Sequence, residues 1–327
     1  MKLPNNWASW ECIKDMTIHK SVLLGEAIEN LNLKEGSVVV DATLGSGGHA
    51  KEIIKSIGEE GFFIGLDVDC SSIDNFKFQI SNFKTKGRIY LINDNFSNLD
   101  SILKSLEIGK VDAILADLGY SSDQLENPDY GMSFLIDAPL DMRLDKKKGL
   151  TAKIIVNKYS QEELLEIIRK FGEERYALRI TRKIINTRKE KEIETTGELA
   201  EIIKSAVAIR HRNQKIHPAT KTFQALRIAV NQELENLETF IDQAIDNLAE
   251  KGRLAIISFH SLEDRIIKNK FKENARGCIC PPNFPQCVCN QVARLEIVTR
   301  KPLIADSEEV RINPRSRSAK LRVVEKK

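Results

Sequence analysis

Apolar positions along the chain follow two different periods. In the first third, short runs of β-branched and aromatic residues at 37–41, 61–67, 88–92 and 111–117 are bounded by polar residues or glycine, which is typical of buried strands. Residues 49–57 lie between the first two runs and carry apolar side chains at helical spacing. Because short strands alternate with helices, the pattern predicts a parallel sheet with helices on both faces.

The middle of the chain changes to helical periodicity, with apolar residues three and four positions apart. The segments with this spacing are 161–170, 174–187, 196–208 and about 221–248. Strand-like sequence returns at 253–258, 295–299 and 319–324. We therefore predict a sheet domain interrupted by an all-helical insertion. The predicted limits are 1–124 and 219–327 for the two parts of the sheet domain and 125–218 for the insertion.

Charge is distributed unevenly along the chain. The whole sequence carries only +3, from 50 Lys and Arg against 47 Asp and Glu. Residues 146–227 contain 20 Lys and Arg, 10 Glu and no Asp, a local balance of +10, so the remaining residues carry −7. A basic segment beside an acidic remainder is expected of a polyanion-binding face. A solvated helical surface gives the same pattern and is the alternative.

The sequence predicts a cytoplasmic protein without a membrane anchor. No stretch approaches the roughly 18 consecutive apolar residues that would cross a bilayer. The N-terminus contains Trp7, Trp10, Glu11 and Asp15. It therefore has neither the apolar core of a signal peptide nor the acid-poor composition of a transit peptide.

The segment from Asp41 to His49 (DATLGSGGH) joins the first predicted strand to a helix. Its glycines allow the backbone to approach a ligand, and amides at the helix N-terminus face that ligand. Gly45 to Ala50 also fits the dinucleotide pattern G-x-G-x-x-A, with Asp67 about 20 residues on. A carboxylate at the strand end, however, repels a pyrophosphate and suits a cationic ligand. Asp41 therefore favours S-adenosylmethionine over a nicotinamide dinucleotide, and Asp67 can accept hydrogen bonds from the ribose of either.

Four of the six cysteines, Cys278, Cys280, Cys287 and Cys289, lie within twelve residues. In a reducing compartment such a cluster indicates metal or redox chemistry before structural disulfides. Four thiolates at this spacing can bind one tetrahedral zinc, although zinc sites more often use C-x-x-C pairs. A proline-rich surface loop with incidental thiols, or a disulfide formed under oxidising conditions, are the alternatives.

Several ordered motifs cover nearly the whole chain. They are HKSVLL at 19–24, DATLGSGGH at 41–49, ADLGYSSDQL at 116–125, PLDMR at 139–143, HPATKTFQA at 217–225, SFHSLEDR at 258–265 and NPRSRS at 313–318. Together they resemble the ribosomal RNA small-subunit methyltransferase H family. The sequence departs from that family at Cys70–Ile73, where a proline- and alanine-rich continuation is expected, and at Tyr120, where a small aliphatic residue is expected. Residues 1–15 have no counterpart in the family pattern.

The resemblance implies a class I S-adenosylmethionine-dependent methyltransferase: a Rossmann-like, seven-stranded α/β sheet with an all-helical insertion domain. It also implies methylation of the exocyclic amine of a cytidine in bacterial 16S rRNA, either as RNA or within the small ribosomal subunit. Carried over residue by residue, the family's cofactor contacts are Gly47, Gly48, His49, Asp67, Phe96, Asp117 and Gln124. Phe96 is the side chain expected to stack on adenine.

Asp117 is the candidate catalytic residue. The exocyclic nitrogen of cytosine is a poor nucleophile because its lone pair is delocalised into the ring, so alignment should supply much of the catalysis. Asp117, or the backbone carbonyl of Leu118, is expected to accept a hydrogen bond from the amine. His260 and Asp141 are further polar candidates, and this chemistry needs no metal.

The target base must be single-stranded or extruded, and the basic insertion is the expected clamp for its phosphates. A methyltransferase for another RNA or nucleobase, a nicotinamide enzyme, and an RNA-binding protein with a vestigial cofactor fold are the alternative functions. The intact glycines and carboxylates disfavour the last of these.

Overall fold

The computed structural model describes most of the chain. The described residues are 21–81, 87–121, 124–125, 127–207, 217–278, 280, 288–289 and 291–327. The N-terminal segment 1–15, the first two residues of the motif at 19–24 and Cys287 lie outside them.

Seven strands and twelve helices are used in the following description. The strands are β1 (Val38–Asp41), β2 (Phe62–Asp67), β3 (Arg88–Asn93), β4 (Val111–Asp117), β5 (Leu248–Ser258), β6 (Leu295–Ile297) and β7 (Lys320–Lys326). The helices before β5 are α1 (Leu24–Leu31), α2 (Gly48–Ile57), α3 (Cys70–Ile80), α4 (Leu99–Ser105), α5 (Ala152–Lys158), α6 (Gln161–Gly172), α7 (Ala177–Glu190), α8 (Thr196–Ala206), α9 (Thr220–Asn231) and α10 (Glu233–Asn247). Two more follow β5, α11 (Ser261–Ala275) and α12 (Ser307–Ile312).

The strands form one seven-stranded sheet in the order β3-β2-β1-β4-β5-β7-β6. The first five are parallel, whereas β7 pairs antiparallel with both β5 and β6. The predicted class I methyltransferase sheet is confirmed, and the two strands predicted near the C-terminus complete it. Strand order reverses between β1 and β4, and ligands of open α/β sheets bind at such a reversal, beyond the carboxyl ends of the strands.

Both faces of the sheet are buried, as the continuous apolar strands predict. On β1, Val40 packs on the face covered by α4, α10 and α11, whereas Val39 packs on the opposite face against α1, α2 and α3. On β2, Ile64 packs on the same face as Val40, and Phe63 packs on the same face as Val39. Since successive side chains of a strand point to opposite faces, each central strand supplies both cores.

A third apolar core lies in the helical unit and extends from Leu140 to Val230. It includes Phe223 and Leu226 of α9, so the helix that follows residue 218 packs with the insertion. The limits at 1–124, 125–218 and 219–327 stay predictions, but the apolar packing of the insertion extends past 218. Within the described residues, no helix is both long enough and apolar enough to cross a membrane.

The single helix predicted over about 221–248 is wrong. Gln232 adopts a left-handed conformation with φ of 54° and separates α9 from α10. The preceding residue, Asn231, is buried, and its side-chain amide donates to the Met142 carbonyl at 2.8 Å, while its oxygen accepts from the Leu144 amide at 2.9 Å. These contacts join the helix end to the loop before α5, about 90 residues away in sequence, which local periodicity does not encode.

Candidate active site

A cavity of about 360 Å³ opens beyond the carboxyl ends of the strands on both sides of the β1–β4 reversal. The residues that line it from the loops after β1, β2 and β3 include Thr43, Gly45, Ser46, Gly48, His49, Asp67 and Phe96. The residues that line it from the loops after β4 and β5 include Asp117, Leu118, Gly119, Tyr120, Gln124, Phe259, His260 and Glu263. The cavity therefore has two halves, which meet at Asp117.

The glycine-rich turn after β1 has backbone angles that residues other than glycine adopt only with strain. Gly45 and Gly47 have φ of 51° and 79°, and the Gly47 amide closes the turn on the Leu44 carbonyl at 2.8 Å. A Cβ on Gly47 would lie 2.1 Å from the Phe76 ring, so glycine is required there for space as well as conformation. Gly48 begins α2 and lines the cavity, whereas Gly47 is buried behind it.

Asp67 ends β2 and holds the glycine turn. Its Oδ2 accepts from the Gly45 amide at 2.8 Å and its Oδ1 from the Asp69 amide at 2.8 Å. Burial raises the pKa of Asp67 to about 6 against these hydrogen bonds. The carboxylate lines the cavity and retains lone pairs for further donors, as its predicted role requires.

Gln124 reaches the same part of the cavity through a residue that our sequence analysis did not assign. Asp69 is buried, caps α3 through the Ser71 amide, and accepts from Gln124 Nε2 at 3.1 Å and from the Tyr130 hydroxyl at 2.9 Å. The available signal was the sequence Asp-x-Asp-x-Ser at a strand end, which is typical of a helix N-cap. Asp69 therefore positions two residues from the segment after β4.

Phe96 lies between the cavity and a sheet core. Its ring meets Phe240 of α10 edge to face, with centroids 5.1 Å apart. It is partly buried against that core and also lines the cavity. One part of the ring is thus fixed by packing, while another remains available to a flat ligand.

Asp41 and Asp117 end neighbouring strands and are linked through Thr43. Asp41 Oδ1 accepts from the Thr43 amide at 3.2 Å, and Thr43 Oγ1 accepts from the Asp117 amide at 2.5 Å. Asp41, which the sequence predicts to favour a cationic cofactor, is only 1% exposed and does not line the cavity, so its carboxylate does not form part of the cavity wall. Burial and, to a smaller extent, the charge of Asp41 together raise the pKa of Asp117 to about 7.

His49 packs behind Asp117 at the start of α2. It is 5% exposed, with Nε2 3.1 Å from the Val22 carbonyl and Nδ1 3.8 Å from Asp117 Oδ2. A carbonyl only accepts, so Nε2 carries a hydrogen, and Nδ1 is the ring nitrogen that faces Asp117.

The half of the cavity beyond β4 contains a cluster that sequence analysis did not find. The Tyr120 hydroxyl donates to Glu233 Oε1 at 2.7 Å, and Arg227 binds both oxygens of Glu233 at 2.9 Å. The Arg227 guanidinium lies 4.1 Å from the centre of the Tyr120 ring. These residues come from the loop after β4, from α9 and from α10, so only the tertiary structure brings them together.

His260 lines this half of the cavity, whereas Asp141 does not. His260 Nε2 lies 3.1 Å from Glu263 Oε1, and the other oxygen of Glu263 accepts from the His260 amide at 3.2 Å. Ligand atoms of Glu233, His260 and Glu263 lie within 4.8 Å of one another, but Arg227 already neutralises Glu233. The arrangement is therefore a polar cluster more than a metal site. Asp141 is instead paired with nearby cations.

The sequence profile of the MraW methylase family matches residues 16–327. The chain belongs to this family. It is therefore a methyltransferase, and S-adenosylmethionine, the cofactor predicted from the glycine turn, is confirmed.

Similar proteins match this MraW-family chain over almost its full length. Ribosomal RNA small subunit methyltransferase H of Clostridium botulinum (strain Kyoto / Type A2) is 49% identical, over 94% of this chain and 98% of that protein. The protein of the same name from Clostridioides difficile (strain 630) is 47% identical over the same shares. Among solved structures, a putative rRNA-methylase from Clostridium thermocellum aligns over 94% of this chain and 96% of that one, with 13% identity and a TM-score of 0.44.

The residues of the MraW-family site fit a cationic cofactor. Among the described residues, Asp117 Oδ1 and Asp41 Oδ2 are buried oxygens without a hydrogen-bond partner. Unpaired buried carboxylates are costly, and a nearby positive charge compensates them. The glycine turn beside them leaves backbone exposed to the cavity, as close approach of a ligand requires.

We predict that Asp41→Asn makes stability less dependent on pH. Burial raises the pKa of Asp41 from its ordinary 3.8 to about 7 in the folded protein. A raised carboxyl pKa contributes stability that is fully present below pH 3.8 and is lost as the pH rises through about 7. The free energy of unfolding of the wild type, measured with urea, should therefore fall relative to that of Asp41→Asn over this window.

The matched control is Asp74→Asn, which removes an exposed carboxylate from α3 and should follow the wild type at every pH. A difference between wild type and Asp41→Asn that stays constant with pH contradicts the prediction.

Proposed function

We propose that this chain transfers a methyl group from S-adenosylmethionine to the exocyclic amine of a cytidine in the 16S rRNA of the small ribosomal subunit. The names of its relatives support a ribosomal RNA substrate. The observation that carries the proposal is the position of Asp117, whose partly buried carboxylate lines the cavity between the glycine turn and the Tyr120 half, the part lined by Tyr120, Arg227 and Glu233. A carboxylate at that junction can bind the amine of a base next to the methyl donor.

The cofactor half comprises the glycine turn and the ends of β2 and β3. We assign Gly48, His49, Asp67, Phe96, Asp117 and Gln124 to contacts with the cofactor, which supplies an activated methyl group on a sulfonium. Gly47 is assigned an indirect part, since it shapes the turn behind Gly48. Asp67 accepts from ribose hydroxyls and Phe96 packs on adenine. Asp41 acts indirectly, because it fixes Thr43 and lends its negative charge to the site.

Asp117 aligns the substrate amine. An accepting carboxylate oxygen holds one amine hydrogen and directs the nitrogen lone pair away from the ring, and the Leu118 carbonyl offers a second acceptor. Formation of the new nitrogen–carbon bond leaves one proton to be removed from the amine. Asp117, with its pKa raised to about 7, and His49 Nδ1 are the groups that can take it.

The Tyr120 half receives the base. Bases in RNA sites stack on aromatic rings and on guanidinium planes, and Tyr120 and Arg227 provide both surfaces on the cavity wall. Glu233 fixes both groups, so the stacking surface is preorganised. Tyr120, a departure from the family pattern, thereby acquires a defined role.

The phosphate backbone binds to the helical unit. On α7, Arg179, Arg182 and Lys183 are exposed, whereas Ile180 and Ile184 are buried in the helical core. The basic residues thus share a solvent-facing side, which meets the requirement for phosphate contacts. The helical unit is joined to the site because Glu173 at the end of α6 accepts hydrogen bonds from α11.

The proposal is tested by incubating the protein with methyl-labelled S-adenosylmethionine and small subunits from cells that lack this modification, followed by nucleoside analysis. We expect label in a cytidine methylated on its amine. Naked 16S rRNA in a parallel reaction separates the two forms of substrate. Label in another nucleobase or in ribose overturns the proposal and favours a methyltransferase with a different RNA target.

We predict that Asp117→Asn lowers kcat at saturating cofactor by at least about 100-fold, the usual contribution of a positioned acid–base group. Because burial raises the pKa of Asp117 to about 7, wild-type activity should fall roughly tenfold per pH unit below that value and level off above it. Activity falls at low pH because only the ionised carboxylate of Asp117 can accept from the substrate amine. Asp112→Asn, an exposed carboxylate at the opposite end of β4, is the control. Normal turnover in Asp117→Asn contradicts the assignment.

We also predict that charge reversal of Arg179, Arg182 and Lys183 to Glu weakens RNA binding and its dependence on salt, while cofactor affinity remains unchanged. The control reverses Lys34, Lys110 and Lys251, which are exposed near the amino ends of β1, β4 and β5. Filter binding at several salt concentrations and calorimetry with the cofactor provide the measurements. Equal losses in both triple variants would mean that general charge, not the α7 surface, determines binding.

A further inference from the structure

The loop between α11 and β6, residues 276–294, brings cysteines together away from the cavity. The Sγ atoms of Cys278, Cys280 and Cys289 all lie within 4.8 Å of one another. None of the three lines the cavity. Cys287, the fourth cysteine of this cluster in the sequence, lies outside the described residues.

We propose that Cys278, Cys280 and Cys289 bind a structural zinc ion as thiolates. The spacing of the sulfurs is that of zinc ligands. Zinc–sulfur bonds of about 2.3 Å in a tetrahedral site place two sulfurs about 3.8 Å apart. The Sγ atoms of Cys278 and Cys289 are 3.7 Å apart.

This spacing differs from that of a disulfide. Sulfurs in a disulfide lie about 2.05 Å apart, and such a bond joins only two of them. Here a third thiol belongs to the same cluster, since Cys280 lies within 4.8 Å of both others. A cation with several sulfur ligands accounts for all three positions, and a single disulfide does not.

The backbone around Cys280 also fits a metal thiolate. The Val288 amide donates to Cys280 Sγ at 3.4 Å. A hydrogen bond from the backbone stabilises negative charge on a sulfur and orients it, as outer partners of metal ligands do. The donor comes from the residue before Cys289, so the two ends of the loop are connected at the cluster.

The loop needs such a cross-link because its described residues provide no apolar core. Val288 and Val292 are 67% and 77% exposed. Polar contacts close its base: the Arg294 amide donates to the Asn274 carbonyl at 2.8 Å, and Gln291 Nε2 donates to the Arg276 carbonyl at 3.4 Å. Short segments without a core are commonly fixed by a metal or a disulfide. Zinc bound to the cluster would fix the path of the chain from α11 to the edge strand β6.

The test is metal analysis of the full chain, purified without chelators or metal-affinity resin and dialysed against equimolar zinc. We expect about one zinc per chain in the wild type and about none in the Cys278→Ser, Cys289→Ser double variant. Cys70→Ser, which removes an exposed cysteine on α3, is the matched control and should keep the metal.

A second measurement does not depend on the folding of the variant. Wild-type protein loaded with cobalt(II) in place of zinc should develop the intense near-ultraviolet absorption of a sulfur–cobalt bond, and equimolar zinc should abolish it. Wild-type protein that holds no zinc overturns the proposal, whether its thiols titrate as free in denaturant or two of them are missing in a disulfide. Zinc that persists in the double variant overturns it as well.

Discussion

The site depends on two carboxylates at the carboxyl ends of β1 and β4, of which Asp41 is buried and Asp117 is partly buried. These strands are neighbours in the sheet, with Asp41 opposite Leu115, so Asp117 lies two residues beyond the pair. Thr43 bridges the remaining gap through one hydrogen bond to each residue. Removing two like charges from water is expensive, and both pKa values are raised to about 7 as a result. A cationic ligand beside them offsets part of this cost, so the arrangement favours a sulfonium.

The helical unit completes the site instead of forming a separate appendage. Arg227 of α9 and Glu233 of α10 form a bidentate ion pair across the turn at Gln232, and both line the cavity. A small apolar cluster that includes Phe171 and Leu262 joins α6 to α11 beneath them. The unit thus carries exposed basic residues on one side, as the proposed RNA contact requires, while another side forms the Tyr120 half of the cavity.

The loops at the cavity and the loop after α11 are held in different ways. The loops at the cavity are fixed by buried carboxylates, such as Asp69, that accept several hydrogen bonds from neighbouring loops. The loop after α11 has exposed valines and a group of thiols instead. Burial of polar acceptors works only where the sheet core excludes water, so a peripheral loop requires another kind of cross-link.

The sequence by itself determined the sheet, the glycine turn and the cofactor class. Each of these depends on residues that are neighbours in the sequence. Runs of β-branched residues form strands, Gly45 and Gly47 permit left-handed turns, and Asp41 and Asp117 are the last residues of β1 and β4. Only the tertiary structure placed Asp41 behind the cavity wall, divided the helix at Gln232, and joined Tyr120 to partners more than 100 residues away. Those features arise from contacts between distant segments, and periodicity along a chain carries no information about which distant segments will meet.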